Sequence, residues 1–413
     1  MASRALRKAK IFLLKTSHSD TRAVSETSLN ILITGARAPV ALHLARLFHD
    51  AGHRAVLADT PASPIAAASR TCTAYRRLPA PRFAPDAYLE HVTKVIRDDH
   101  IDLVVPTCEE IFYLGQIWRD QKIPTQLFAP EMELLARVHN KHDFIRLAEY
   151  LGLAVPDTIL LQSEDDLRTV RSRSRQFVFK PVWSRFASHV LLRPSPHLLD
   201  KIHPTVQAPW VAQEFIDGHE ISVYAVANNG ILKAFSAYRS IFRAGKGAGI
   251  CFHPVEDTAA RSFVQAFVSG TNWTGQISFD LMQTAEGGIL PLECNPRATS
   301  GVHFFTKPRD FSDAVLKNGT EVLPDCVGMQ GSRLAVWLFG LPEALKTGTV
   351  QKFRRSLRET SELLDWPDDS GPRKAQMRAL REVALVAIRQ RISLQKASTR
   401  DIEWNGPDQS SIW

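Results

Sequence analysis

Short apolar runs and helical apolar spacing alternate along the first third of the chain. The runs predict buried strands at 31–34, 55–58 and 103–105. Apolar residues at helical spacing predict helices at 40–51 and 109–120, the first ended by Gly52. Because strands that alternate with helices are typical of a parallel sheet, we predict an α/β unit over residues 29–130.

The pattern changes after Pro156, where short strands replace the regular alternation. Strands are predicted at 176–180, 188–193, 210–215, 220–227, 231–238 and 274–281. A helix at 258–269 interrupts them, and helices at 131–139 and 141–151 precede them, with Asn140 as the N-cap of the second. These elements predict an α+β fold for this part of the chain.

Beyond residue 310 the pattern predicts one clear element, a basic amphipathic helix at 373–391. Its apolar residues lie broadly on one side, and most of its arginines and lysines lie elsewhere. We favour a helix that packs on the body with a solvated basic face. The alternative is a helix that makes peripheral contact with a membrane surface and serves a lipid-like substrate.

The net charge of +8 on 413 residues lies mainly at the two ends of the chain. Residues 1–28 hold six basic and two acidic side chains, and residues 351–413 hold twelve basic and nine acidic ones. We interpret residues 1–28 as a flexible tail. The body between them is nearly neutral, which argues against a nucleic-acid partner. No uncharged apolar run approaches the roughly 20 residues of a membrane-spanning helix.

The five cysteines form no CxxC pair and show no zinc-ligand spacing. An odd number of cysteines without a pattern, and no recognisable signal peptide, predict a reducing, cytoplasmic location.

Two carboxylates are predicted to face each other across a hairpin. Asp280 lies on one strand and Glu293 on the next, with Gly287-Gly288 as the turn. Asn295 and Arg297 follow at steps of two and therefore share the face of Glu293. Such oxygen ligands suit Mg²⁺, and a neighbouring arginine can stabilise the charge that develops in phosphoryl transfer. A surface hairpin with solvated acids is the alternative.

Two lysines occupy positions that favour an anionic ligand. Lys180 ends the apolar run 177–179, where a lysine is seldom buried without an anionic partner. Lys141 opens a helix, where the helix dipole favours a bound phosphate that the lysine also contacts. Segment 213–220 predicts a strand, a turn and a second strand, whose backbone could contact a planar heterocycle and whose Glu220 could bind ribose hydroxyls. Solvated lysines and a charged hairpin are the alternatives.

These motifs, in this order, resemble those of the ATP-grasp superfamily, especially its carbamoyl-phosphate-synthase-like branch. The matching segments are Asn140-Lys141-His142-Asp143, Phe179-Lys180-Pro181, residues 213–220, Phe279-Asp280-Leu281-Met282 and Glu293-Cys294-Asn295-Pro296-Arg297. The resemblance covers roughly residues 29–310. It implies a Rossmann-like pre-ATP-grasp domain at 29–130 and a two-lobed ATP-grasp domain at 131–310, and it leaves 311–413 as an extension of unclear fold.

The resemblance also implies roles for individual residues. The implied nucleotide contacts are Lys141, Lys180, Glu214, Phe215, Ile216 and Glu220. The implied ligands of one or two Mg²⁺ ions, or of Mn²⁺ instead, are Asp280, Glu293 and Asn295. Arg297 would orient the γ-phosphate of ATP and the acyl phosphate that forms when a small-molecule carboxylate attacks it. An amine, or in some members a thiol, then displaces phosphate.

The chain departs from the family pattern in one loop. Residues 183–189 follow Lys180-Pro181 and contain no glycine, whereas many members have a glycine-rich lid there. A glycine-rich stretch occurs instead at 245–249. Arg239 and Lys246 are therefore weaker candidates for a substrate or phosphate loop.

Two other functions compete with a ligase. Gly35 after the first strand and Asp59 after the second suggest a dinucleotide site, but the other glycines of that fingerprint are missing. A non-catalytic or regulatory ATP-binding module of the same fold is the stronger alternative. Because the acidic set and Arg297 are intact, we predict a cytoplasmic Mg-ATP-dependent, ADP-forming ligase that makes a carbon–nitrogen bond.

Overall fold

The computed structural model describes residues 28–185, 189–243, 249–317 and 319–406. The chain begins with a parallel sheet made of β1 (Asn30–Thr34), β2 (Arg54–Asp59), β3 (Ala74–Arg77), β4 (Leu103–Val105) and β5 (Gln126–Leu127). The strand order is β3-β2-β1-β4-β5, and every pair is parallel. The predicted α/β unit is therefore confirmed, and the short strands β3 and β5 are additions to it.

Helices flank this sheet. They are α1 (Pro39–Asp50), α2 (Pro85–Asp98) and α3 (Glu110–Asp120). Pro39 is the first residue of α1, where its fixed φ suits a helix and its missing N–H costs nothing. Gly35 precedes it at φ 79°, and a Cβ there would collide with the Thr107 side chain, so this turn requires glycine.

Two helices lead into a second, antiparallel sheet. The helices α4 (Met132–His139) and α5 (Lys141–Tyr150) lie where the sequence predicts them. The Asn140 side chain accepts hydrogen bonds from the backbone N–H groups of His142 and Asp143, which confirms it as the N-cap. The sheet contains β6 (Thr158–Leu161), β7 (Phe177–Pro181), β8 (Leu191–Leu192) and β9 (Trp210–Glu214), with α6 (Glu164–Arg171) against it. Its strand order is β6-β9-β7-β8.

The largest sheet follows. Its strands are β10 (His219–Asn228), β11 (Ile231–Arg243), β12 (Gly249–Val255), β13 (Gly275–Gln283), β14 (Ile289–Asn295), β15 (Gln330–Gly331) and β16 (Ser361–Glu362). The order is β14-β13-β10-β11-β12-β15-β16, antiparallel except for the last pair. Helix α7 (Thr258–Gly270) packs on β11. One apolar cluster joins this sheet to the first, through Leu32, Phe112 and Phe279 among others.

The remaining chain is largely helical. It contains α8 (Pro308–Leu316), α9 (Arg333–Ala335), α10 (Leu341–Thr347), α11 (Val350–Glu359), α12 (Gly371–Gln390) and α13 (Leu394–Thr399). A π-helical turn, Val336–Gly340, joins α9 to α10. Helix α12 covers the predicted helix at 373–391 except for its last residue, and it packs against a 3₁₀ turn, Ile65–Ala68, and against α13. This packing agrees with the favoured interpretation, although Met377 and Ile388 stay exposed.

The C-terminal residues are tied to the first sheet by buried contacts. The Arg46 guanidinium pairs with Asp369 at 2.8 Å, and both side chains are almost fully buried. Arg37 pairs with Asp59 and with Asp401. Trp404 stacks on Phe112 with ring centroids 4.5 Å apart. The sequence pattern predicts none of these contacts, and within the described residues no helix is long and apolar enough to cross a membrane.

Candidate nucleotide and metal site

Asp280 and Glu293 lie side by side on neighbouring strands. β13 and β14 pair so that Asp280 is opposite Glu293 and Ser278 is opposite Asn295. On the other side of β13, the Ser222 hydroxyl donates to the Asp280 carboxylate at 2.7 Å. The hairpin pairing expected from the Gly287-Gly288 turn is therefore present, and it brings two carboxylates and one amide to the same end of the sheet.

Two buried lysines approach this acidic pair. Lys141 Nζ lies 3.3 Å from a Glu293 carboxylate oxygen and donates to the Ser184 carbonyl at 2.7 Å. Lys180 Nζ donates to the Gln213 side chain at 2.9 Å and to the Leu292 carbonyl at 3.0 Å. Three segments that are far apart in sequence thus place cations and carboxylates in one network.

The charges in this network shift each other's proton affinity. Burial and the neighbouring Glu293 carboxylate raise the pKa of Asp280. Burial acts against ionisation of Glu293 as well, but Lys141 and Lys180 outweigh it and lower the pKa of Glu293. Burial lowers the pKa of Lys180 to about 8, although Glu293 acts in the opposite direction. Holding two carboxylates close together and away from water costs free energy. A divalent cation bound between them would reduce that cost.

The chemistry of the donor set fits Mg²⁺. The Asn295 side-chain oxygen lies beside the pair and accepts from Arg297 Nη2 at 3.2 Å. Within the described residues, no group of three or more His, Cys, Asp or Glu side chains has a metal-binding arrangement. The set is therefore two carboxylates and an amide, and Mg²⁺ ordinarily completes such a partial set with water and substrate phosphates.

The predicted adenine and ribose contacts lie at the connection between β9 and β10. The Glu214 N–H donates to the Asp157 carbonyl at 2.7 Å, and the exposed Glu214 carboxylate accepts from the Asp157 N–H at 3.2 Å. The Arg193 guanidinium lies over the Phe215 ring, 4.9 Å from its centroid. Ile216 is half-buried in the connection. Glu220 precedes Ser222 by two residues, so it shares the face of Asp280, and its exposed carboxylate pairs with Arg243.

One of the two weaker candidates, Arg239, is not brought to this group. Arg239 follows Tyr238, which pairs with Ser222 across the sheet, so Arg239 lies on the face opposite Asp280. Its guanidinium donates to Gln283 at 3.1 Å. Lys246 lies outside the described residues, as do the middle of loop 183–189 and nearly all of the predicted tail 1–28.

The position that suggested a dinucleotide site is occupied by protein contacts. The Asp59 carboxylate accepts from the backbone N–H and the guanidinium of Arg37. Because this carboxylate is already bonded, it does not offer the free acceptor that a dinucleotide ribose needs.

A large cavity beside Arg297 was not predicted. It has a volume of about 1320 Å³ and is lined by Arg297, by Cys108 and Glu109 after β4, and by residues of α12 and α13. The only feature of the sequence that indicates this cavity is the presence of polar residues just beyond a parallel strand. Ligands of open α/β sheets bind at the carboxyl ends of the strands. The rest of the wall comes from the C-terminal region, whose placement depends on long-range packing.

The chain has a parallel sheet, a small antiparallel sheet that carries Lys180 and a large sheet that carries the acidic pair. Together these sheets form the ATP-grasp fold. The chain therefore has the fold that its motifs resemble. No protein-family model matches the chain, and no curated protein matches it in sequence. Solved structures do match, and the three described below are among the ATP-grasp ligases.

Three of these structures illustrate the range of the fold. An ADP complex of PurK, an N5-carboxyaminoimidazole ribonucleotide synthetase, is 15% identical, with 73% of this chain and 80% of that chain covered at a TM-score of 0.58. Phosphoribosylamine–glycine ligase from Thermotoga maritima is 19% identical, with 73% of this chain and 78% of that chain covered at a TM-score of 0.57. The biotin carboxylase domain of Hydrogenobacter thermophilus 2-oxoglutarate carboxylase, with MgADP and bicarbonate, is 10% identical, with 74% of each chain covered at 0.55. At these identities the similarity establishes the fold and not the reaction.

Proposed function

We propose that the protein is a Mg-ATP-dependent ligase that activates a carboxylate as an acyl phosphate and joins it to an amine, or to a thiol, with release of ADP and phosphate. The observation that carries the proposal is the network that the buried Lys141 and Lys180 form with Asp280 and Glu293, with Arg297 beside it. ADP and MgADP in structures of the same fold support the nucleotide and the metal.

The nucleotide would lie between the two antiparallel sheets. Lys141 and Lys180 would bind its phosphates, because both ammonium groups are buried and both act electrostatically on Glu293 of the acidic pair. The connection that contains Glu214, Phe215 and Ile216 would contact adenine, and Glu220 would bind the ribose. Asp280, Glu293 and Asn295 would hold Mg²⁺, whose chemistry is to neutralise charge on the transferring phosphoryl group.

The reaction then proceeds in two displacements. A substrate carboxylate oxygen forms a bond to the γ-phosphorus while the bond from that phosphorus to ADP breaks. Arg297 lies next to Asn295 and supplies positive charge where the attacking and transferring groups, both anionic, must meet. The amine nitrogen then attacks the acyl carbon, the bond to phosphate breaks and the nitrogen releases a proton.

Two variants test the site together with the activity. A screen for ADP release over carboxylic acids crossed with amines, with mass spectrometry of the products, identifies a substrate pair. With that pair, Glu293→Gln and Arg297→Ala should each abolish ADP formation while the far-UV circular dichroism stays that of the wild type. Glu286→Gln, an exposed carboxylate at the turn of the same hairpin, is the matched control and should leave the rate unchanged.

Full activity in either site variant would contradict the residue assignment. If the wild type binds MgADP but no acid and amine pair releases ADP, the chain is a non-catalytic ATP-binding module and the proposed reaction is wrong.

A further inference from the structure

The cavity beside Arg297 is larger than a small polar substrate requires. It holds about 1320 Å³ between the carboxyl edge of the first sheet and the helices α12 and α13. Pockets for drug-sized ligands usually occupy about 300–1,000 Å³. A substrate such as glycine or bicarbonate would leave most of this space to water, so the size of the cavity bears on the class of substrate.

Apolar side chains from several separate segments form much of its wall. They include Ile65, Leu78, Phe83, Val383, Val386 and Ile402. Leu78 and Ile402 are almost fully buried, so this part of the wall belongs to the packed interior. Phe339, Leu380 and Leu394 also line the cavity and remain substantially exposed, which places apolar surface at its opening. An apolar surface of this kind favours a ligand with an apolar body.

The arginines of the wall differ in their partners, and of the four only Arg37 is paired with carboxylates within the described residues. Each of the four arginines that line the cavity donates to a protein acceptor. Arg37 is bonded to Asp59 and Asp401, and Arg400 donates to Gln390 and lies over the Phe83 ring. Since Arg77, Arg297 and Arg400 donate to uncharged acceptors, the apolar wall and not a lack of cations is what disfavours a phosphorylated sugar, as in the names of two similar structures.

One end of the cavity is polar and lies next to the acidic pair. There Arg297 lies between the apolar wall and the acidic pair, since its guanidinium bonds to the Asn295 side chain that borders Glu293. A carboxylate that reached this end would meet a guanidinium and would stand next to the proposed phosphoryl-transfer site, while anything attached to it would extend among apolar side chains.

We propose that the cavity binds the carboxylate substrate of the ligase and that this substrate is a free amphiphilic acid with a long alkyl or acyl chain. The chain lies against α12, and the carboxylate lies at Arg297. This inference rests on the proposed function for the step that follows binding, but the binding itself can be measured separately from any reaction.

Isothermal titration with dodecanoate, below its micelle concentration and with MgADP present, tests the inference. The wild type should bind one equivalent, and affinity should rise at least tenfold from butanoate to dodecanoate, because each added methylene buries apolar surface. Val383→Trp fills the cavity and should weaken dodecanoate binding at least tenfold. Leu385→Trp, exposed on the same helix and outside the cavity wall, should leave it unchanged, and both variants should bind MgADP as the wild type does.

Three results would overturn the inference and leave the proposed function standing. They are no saturable dodecanoate binding by protein that binds MgADP, an affinity that is independent of chain length, or displacement of dodecanoate by ribose 5-phosphate. The chain-length series decides the matter in the wild type even if the Val383→Trp variant does not fold. Absence of MgADP binding would instead contradict the proposed function.

Discussion

Trp404 provides a direct test of how the C-terminal residues hold the structure together. Its side chain is 1% exposed, stacks on Phe112 and meets the Trp183 ring edge-on at 5.3 Å. A buried aromatic side chain removes 150–250 Å² from water, which at about 25 cal/mol per Å² gives roughly 4–6 kcal/mol as an upper limit. Because Trp→Ala substitutions in cores cost about 3–5 kcal/mol, we expect Trp404→Ala to lower the free energy of unfolding by that amount.

The same substitution should weaken nucleotide binding. Trp183 is adjacent to Ser184, whose carbonyl accepts from Lys141 Nζ. The Trp404 carbonyl and the Glu109 carboxylate both accept from the Arg185 guanidinium, so a C-terminal residue and a residue that follows β4 together hold residues 183–185. If the loop shifts, Lys141 loses a fixed acceptor, and the dissociation constant for MgADP should rise.

Urea denaturation followed by far-UV circular dichroism measures the stability, and isothermal titration measures MgADP binding. Trp337→Ala is the matched control, since Trp337 is 52% exposed, and it should change the free energy of unfolding by less than about 0.5 kcal/mol. Equal stability of Trp404→Ala and Trp337→Ala would refute the inference that the C-terminal residues form part of the core.

Two further predictions concern buried charge. His43 is buried and burial lowers its pKa to about 4, while burial lowers that of His139 to about 3. The unfolded chain therefore binds more protons than the folded one. The contribution of the two neutral histidines to the free energy of unfolding is fully present above pH 6.5 and is lost as the pH drops towards 4, by about 3 kcal/mol for His43 alone. Urea midpoints measured from pH 7 to pH 4 check this, and a constant midpoint contradicts it. Asp369→Asn leaves the Arg46 guanidinium buried without its counter-ion and should lower the free energy of unfolding by about 3–5 kcal/mol. Asp368→Asn, at the exposed neighbouring position, should change it little. Equal urea midpoints for the two variants would refute this.

Local patterns predicted the elements that carry the site. Apolar runs located β1, β2 and β4, and the Asn140 cap and the Gly287-Gly288 turn lie where the sequence indicated. The pairing of Asp280 with Glu293 followed from that turn, and the shared face of Glu293 and Asn295 followed from strand alternation. These features depend on neighbours within about fifteen residues, so a single sequence contains the necessary information.

The large cavity and the C-terminal contacts could not be predicted in the same way. Arg46 and Asp369 are 323 residues apart, and neither stands out from the charged residues around it. Helix α12 was visible as an amphipathic segment, but its period does not say which surface covers its apolar side. That choice is made by tertiary packing against residues 65–68 and α13, and the cavity exists only as a result of it.

The central claim is that the protein activates a carboxylate by phosphorylation. The most direct measurement uses a carboxylate substrate labelled with ¹⁸O in both oxygens, together with Mg-ATP and the amine, and mass spectrometry of the phosphate released. The account predicts one ¹⁸O atom in each phosphate and ADP as the nucleotide product, because the bond that breaks in the second displacement joins the acyl carbon to the substrate's own oxygen. Unlabelled phosphate, or AMP and pyrophosphate as products, would contradict it.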